Sequence, residues 1–390
     1  MYRVTGSLLE RLLSEKKRIA AELEPRLTPR EVEEARRDHH AKRPPIACGM
    51  TIHTGVGCNY GCLYCYVPDM GFPMKPRPYP LRGEQLAYAL ALNPYFLPGR
   101  WGTLLAFGSV TEPFMPETRA RAMEYLRATR EWLGNPQQLS TKTPLEGADY
   151  EEFRRSAEKE ISILVTIVTI RYARVLEPNA PPPRERLRFM QRLSRDGYHV
   201  SLFLRPIIPG VTTEEMEEII AAAAEAGARA VIPGSLRVTP GILRRLRAAK
   251  LPGYSEILRR LPRLPRSGRD QVVVRMSDLK RAAAAAAEKH GLRVLPSSCS
   301  ANIDAHGLAC HACRWGPCGD PRRLPAVDEE GLRDALEALG CPARRVRIRG
   351  WQVEAVAACP EGAARRASLV LETAAKRRVI IRGARRRPIY

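Results

Sequence analysis

Three cysteines within eight residues constrain this chain more than any other feature: Cys58, Cys62 and Cys65 follow the spacing Cys-x3-Cys-x2-Cys in a loop opened by Gly55 and Gly57. Thiolates so spaced can hold three corners of one small metal–sulfur cube. The run has no fourth cysteine, so a four-iron cluster here would keep one iron open to chelate a substrate, as the open position of a catalytic zinc does. The alternative is a zinc knuckle, which needs a fourth Cys or His. His53 is the nearest candidate, and it falls on the strand expected before the loop. The donor chemistry favours iron–sulfur over zinc.

Composition bounds the setting. A chain of 390 residues, 44% hydrophobic and 27% charged, can bury a large core and a second smaller one. No apolar run is long enough to span a bilayer, and the charged, amphipathic start is unlike a signal peptide. The expectation is a cytoplasmic protein with no membrane partner. Ten cysteines in a reducing compartment argue for metal ligation over a disulfide framework. On that reading Cys48, Cys341 and Cys359, which fit no ligand pattern, are buried thiols. The net charge of +22 favours a polyanion, DNA or RNA, as partner. A genome's appetite for arginine is the alternative source of that excess.

Residues 1–45 read as a charged helical lead-in, and His39 and His40, adjacent in a charged stretch, as solvated. From residue 46 strands and helices alternate. Strands are expected at 46–54, 103–107, 138–142, 161–170, 199–204 and 228–232, with helices at 83–92, 117–132, 148–159, 184–195 and 213–226. Thr212 or Thr213 is the expected cap of the last helix, and Gly227 its stop. Six βα units in series predict an α/β fold, a partial (β/α)6 barrel of the TIM type. Chemistry in such barrels sits at the C-terminal ends of the strands. The cysteine loop, Ser109, Thr111 and Glu112, Lys142, Thr166 and Arg205 all fall there.

These motifs resemble the radical S-adenosylmethionine (SAM) superfamily, in the form closest to its spore photoproduct lyase-like branch. The likeness covers about residues 46–235. It rests on the cysteine motif with Tyr64 and Tyr66 flanking Cys65, on Gly108 to Pro116, on Thr141-Lys142, on Leu176 to Leu187 and on Arg205 to Gly210. The resemblance implies a [4Fe–4S] cluster on Cys58, Cys62 and Cys65 whose open iron binds SAM. An electron from the cluster, which an external donor reduces, then cleaves SAM and releases a 5′-deoxyadenosyl radical. It also implies that Ser109, Thr111, Glu112, Lys142, Thr166 and Arg205 surround SAM, with Thr111 and Glu112 on its amino group and Lys142 on its carboxylate. Tyr64 would lie against the adenine, and Tyr64 or Tyr66 could relay a hydrogen atom. One departure matters: spore photoproduct lyases carry a hydrogen-donating cysteine in the second strand's loop, where this chain has Ser109. A serine O–H bond is too strong to quench a carbon radical. That argues against thymine-dimer repair and against a cycle that regenerates SAM.

The second half carries four more cysteines, Cys299, Cys310, Cys313 and Cys318, within 20 residues among Gly307, Gly316 and Gly319. Four thiolates fill a cubane or close a zinc shell, and a second [4Fe–4S] cluster is the favoured reading, with Zn2+ as the alternative. Beyond it, a helix is expected at 329–340 and strands at 345–356, 368–373 and 379–382. Arg345, Arg347 and Arg349 alternate with apolar residues, so one sheet face is expected to be basic near Trp351. The expected division is a lead-in at 1–45, a barrel at 46–296, a cysteine-rich segment at 297–325 and a basic extension at 326–390. The function expected is radical modification or repair of nucleic acid, DNA or tRNA. The alternatives are radical chemistry on a protein, peptide or metabolite, and a non-catalytic, metal-stapled nucleic-acid-binding protein.

Overall fold

The computed structural model of the protein describes residues 7–45 and 49–383; Cys48 and the tail arginines Arg385, Arg386 and Arg387 lie outside them. Helices α1 (Ser7–Leu23) and α2 (Pro29–Arg37) lead in. Thr28 and Glu31 close a capping box on α2, and Asp38 ends it. The same Asp38 caps the short turn that follows, accepting from the His40 backbone N–H and lying 2.7 Å from His40 Nδ1. His40 is therefore buried at 1% exposure and not solvated as expected, because its ring completes a cluster with Asp38, His39 and Tyr79.

The centre is a seven-stranded sheet, hydrogen-bonded in chain order. Its strands are β1 (Gly49–Ile52), β2 (Leu104–Phe107), β3 (Gln137–Thr141), β4 (Ser162–Thr166), β5 (His199–Ile207), β6 (Ala230–Ser235) and β7 (Arg293–Val294). Every pair is parallel. Between them run α3 (Gly83–Leu92), α4 (Arg119–Ala128), α5 (Gly147–Ser156), α6 (Pro183–Arg195), α7 (Thr212–Glu225), α8 (Pro240–Ala248) and α9 (Ser277–Lys289). This is an open partial TIM-type barrel. Its strands read as apolar runs because both faces are covered; all five residues of β4 are buried. The seventh strand falls where a strand is expected, at 292–295, and joins the sheet beyond the six expected βα units. Neither threonine caps α7: Thr212 is its first residue, and its hydroxyl accepts from Ile208 N–H and donates to the Val168 carbonyl.

Helix α10 (Ser298–Ala305) enters the concave face of the sheet, where Ala301 packs on Leu164 and Ile232. Asn302 donates to the carbonyls of Leu105 and Pro136, and Asp304 pairs with His199 at 2.6 Å. His199 opens β5, so α10 runs towards the N-terminal ends of the strands and floors the barrel.

A second α/β unit follows: α11 (Glu329–Ala338), β8 (Ala343–Arg349), β9 (Gln352–Ala357), α12 (Glu361–Ala375) and β10 (Arg378–Arg382). Its sheet has the order β8-β9-β10, antiparallel and then parallel. Two expectations fail here. The strand at 345–356 is a hairpin, folded at Gly350 with φ +56°. The strand at 368–373 lies within α12, because Ala364, Ala367, Val370, Leu371 and Ala374 recur at helical spacing and are buried together. A third correction concerns Cys341 and Cys359, which are not free thiols but a disulfide. The hairpin turns the chain back, so their Cα atoms sit 5.0 Å apart despite 18 residues of separation. Helix α1 serves both cores: Leu8, Leu9 and Leu12 pack with the C-terminal unit, and Ile19 and Leu23 with the barrel. Among the described residues no helix is long and apolar enough to cross a membrane.

Candidate active site

The cysteine loop leaves β1 and is held from three sides. Gly57 has φ +89°, and a Cβ there would stand 2.5 Å from the Pro73 carbonyl oxygen, so only glycine lets the chain pass. The segment after the short helix Ala173–Leu176 clamps the loop: Leu63 N–H donates to Leu176 O at 2.9 Å, and Asn179 to the carbonyls of Tyr60 and Asn59. From α8, Arg245 donates to the carbonyls of Leu63 at 3.1 Å and Cys65 at 2.7 Å while its guanidinium grips Asp69. The loop is thus shaped through its backbone, which leaves the three thiols for other work.

Those thiols open on a cavity of about 600 Å³. It is lined by Cys58, Cys62, Cys65, Tyr64 and Tyr66 from the loop, and by Ser109, Thr111, Glu112, Lys142, Thr166 and Arg205 from the ends of β2 to β5. Every candidate of the first cysteine group and its surroundings is therefore brought to one space. Burial pushes the thiol of Cys58 up to about 11 and that of Cys62 up to about 12, so without a metal they are neutral, and ligation would release protons.

Three of the polar residues do structural work that sequence spacing does not reveal. Thr111 Oγ1 donates to the Gly57 carbonyl and ties the second strand's loop to the cysteine loop. Glu112 is buried; its carboxylate accepts from Thr141 Oγ1, from Lys142 N–H at 2.9 Å and from Phe114 N–H at 3.5 Å. It links the tips of β2 and β3. Burial raises its pKa, and those three donors only partly offset this. Tyr64 OH donates to Glu177, whose other oxygen lies 2.6 Å from Arg186 Nη2. Lys142 Nζ is 3.9 Å from Glu177 Oε1 and 5.7 Å from the centre of the Tyr64 ring. Burial alone would lower the Lys142 pKa, but the Cys62 sulfur, once ionised, and the Glu177 carboxylate outweigh it and raise the pKa. At the mouth, Tyr66 OH lies 3.4 Å from the Ser109 carbonyl, and Ser109 Oγ 3.4 Å from His53 Nδ1.

The loop of three cysteines stands at the mouth of a parallel partial barrel. Residues 52–223 match the radical SAM superfamily. The match takes in less than half of the chain. In structure the chain is similar to spore photoproduct lyase. A cysteine-to-serine variant of that enzyme superposes with a TM-score of 0.51 at 16% identity, over 63% of this chain and 75% of that one. A double variant with bound AdoMet and dinucleoside spore photoproduct gives the same TM-score, identity and coverage. In sequence, 178 residues are 24% identical to an uncharacterized protein, ORF301, of the Acidianus two-tailed virus. That match takes in 42% of this chain and 58% of the viral protein.

The donor set fits the cofactors of a radical SAM domain. Three thiols from one loop face a cavity that Lys142 also lines, while Arg186 and Arg245, paired with Glu177 and Asp69, hold the surroundings of the loop in place. The second cysteine group lies against the same space. Cys299, at the start of α10, lines the cavity wall, whereas Cys310, Cys313 and Cys318 stand behind it. Cys310 and Cys318 pair through two backbone hydrogen bonds, and burial, together with Cys299, Cys310 and Cys313, pushes Cys318 up to about 12. The four form one group beside the cavity floor. Sequence reading missed Glu177, Arg186 and Arg245. The first two stand in the Leu176 to Leu187 segment, where the pattern was visible without its purpose; nothing near Arg245 in the chain marks it.

Proposed function

We propose that the protein is a radical SAM enzyme acting on nucleic acid. The observation that carries this reading is the single cavity at the strand ends, lined by Cys58, Cys62 and Cys65 together with Lys142 and the hydroxyls of Thr111 and Thr166. When bound to the three cysteines, a [4Fe–4S] cluster supplies the electron that cleaves SAM into methionine and a 5′-deoxyadenosyl radical. The protein's part is to position. Lys142, held charged next to Glu177, offers a fixed cation to the SAM carboxylate. Tyr64, whose OH is tied to Glu177, presents a flat ring to the adenine. The floor made by α10 closes the cavity below, so the radical meets only what enters at the mouth, between Tyr66, Ser109 and Arg205.

Nucleic acid is favoured as substrate by the +22 charge and by the dinucleoside bound in one structural relative. The second cysteine group is read as an auxiliary [4Fe–4S] cluster, with zinc as the alternative; Cys299 on the cavity wall supports a role near the substrate. An external reductant would serve as electron donor, and the setting would be the cytoplasm.

Two measurements test this. Anaerobic protein with Cys58, Cys62 and Cys65 all changed to alanine should release no 5′-deoxyadenosine from SAM under reduction. Release at the parent rate would remove the assignment. Mass spectrometry of DNA and tRNA from cells with and without the protein should reveal a nucleotide that differs. If neither pool changes while peptides or metabolites do, the substrate is of that other class.

A further inference from the structure

The C-terminal sheet buries one face under α11 and α12, through Val346, Val353, Ala355 and Val379. Its other face is open. In register across the three strands, Arg345, Val356 and Arg382 form one row, Arg347, Glu354 and Ile380 the next, and Arg349, Gln352 and Arg378 the third. Five exposed arginines therefore stand on the two outer strands, with the carboxylate of Glu354 at the centre of the face, between Val356 and Gln352. That carboxylate, Glu354, accepts from Gln352 Nε2 at 2.8 Å. Arginines elsewhere on the surface are commonly neutralised, as in Arg154 with Glu151, Arg155 with Glu152 and Arg18 with Glu15. Among the described residues none of the five makes an ion pair. At the hairpin tip Trp351 is 43% exposed, and its ring lies 5.8 Å from that of His311 in the cysteine-rich segment. Trp315 of the same segment is 51% exposed, with the Arg314 guanidinium 4.9 Å from its ring.

We propose that this open face, with Trp351 at its edge, is a docking surface for single-stranded nucleic acid. The proposal rests on the nucleic-acid reading above and adds the place and form of recognition. Unpaired guanidinium groups in rows about 7 Å apart suit a string of phosphates. Exposed indoles suit unstacked bases, which a duplex keeps inside. Edge-strand arginines can also serve only to prevent aggregation. That role would leave the affinity for nucleic acid independent of which arginines are removed.

The experiment uses the cluster-loaded full chain and fluorescence anisotropy with a labelled oligothymidylate of about 20 nucleotides, longer than a single sheet face engages, beside a duplex of equal length. The triple variant Arg345→Ala, Arg347→Ala, Arg349→Ala should weaken single-strand binding at least tenfold. It should also flatten the dependence of log K on log salt by about 2, as for three lost phosphate contacts at about 0.7 each. Trp351→Ala should cost about tenfold on the single strand and little on the duplex. Removing three ion-paired arginines instead (Arg18→Ala, Arg154→Ala, Arg155→Ala) should change binding less than about twofold, since their charge is already balanced. Substrate-free SAM cleavage at the parent rate would show that the triple variant folds. Unchanged affinity in that variant, equal loss in the ion-paired control, or tighter binding to the duplex would each overturn the docking face, while leaving nucleic acid as the substrate. A parent protein that binds neither oligonucleotide would overturn both.

Discussion

Lys142 holds its ammonium at the buried end of the cavity, 3.9 Å from Glu177 and above the face of Tyr64. A charge so placed acts on a ligand's anionic group and not on a radical step. Lys142→Met should therefore raise the SAM concentration needed for half-maximal 5′-deoxyadenosine release about tenfold or more, while the saturated rate changes less than about threefold. Steady-state titration checks this, and an unchanged SAM requirement would take Lys142 out of the binding site. Ser109 leads to a second expectation. Its hydroxyl lies 3.4 Å from His53 Nδ1 at the mouth, and its O–H bond is too strong to hand a hydrogen atom to a carbon-centred product radical. One 5′-deoxyadenosine should then appear per product formed, counted by chromatography once the substrate is known. Many products per SAM would mean that a hydrogen donor other than this loop closes a recycling scheme.

At the scale of elements, the cysteine loop depends on partners far away in the chain. Arg245 of α8 fixes two of its carbonyls and Asp69 at once, with a planar fork that lysine cannot reproduce. Arg245→Lys and Arg245→Ala should both yield folded protein that loses iron faster on dilution or mild chelation. The expected drop is several-fold in the half-life of cluster absorbance, with lysine only a partial rescue. Equal retention in parent and variants would mean that the loop shapes itself. Glu112 and Thr111 work in the same way, joining the ends of β1, β2 and β3, so their loss should disturb the loop before it disturbs SAM contacts.

For the whole molecule, the disulfide and α1 govern the C-terminal unit. Cys341 and Cys359 close a loop of 18 residues around the hairpin, a constraint on the unfolded chain of about 3 kcal/mol. Changing both to alanine should lower the melting temperature of that unit by several degrees, as read by calorimetry, and leave substrate-free SAM cleavage intact. Coincident loss of SAM cleavage would show that the barrel depends on the C-terminal unit more than their separate cores imply. Such dependence would run through α1, whose Leu8, Leu9 and Leu12 sit in one core and whose Ile19 and Leu23 sit in the other.

Local pattern determined much of this protein. The spacing of Cys58, Cys62 and Cys65, the alternation of apolar runs with amphipathic helices, and the polar residues at strand ends are all short-range signals. They were enough to place a three-thiol site at the open end of a parallel barrel. The failures share one cause. Residues 368–373 read as a strand, but the buried stripe from Ala364 to Ala374 makes them helix. Cys341 and Cys359 meet only because the hairpin brings them together. His40 is buried because Tyr79 and Asp38 close over it. Glu177, Arg186 and Arg245 act across more than a hundred residues on the cysteine loop. Contacts of that range leave no periodicity in the chain, because they are set by how a sheet of parallel strands brings distant loops to one end.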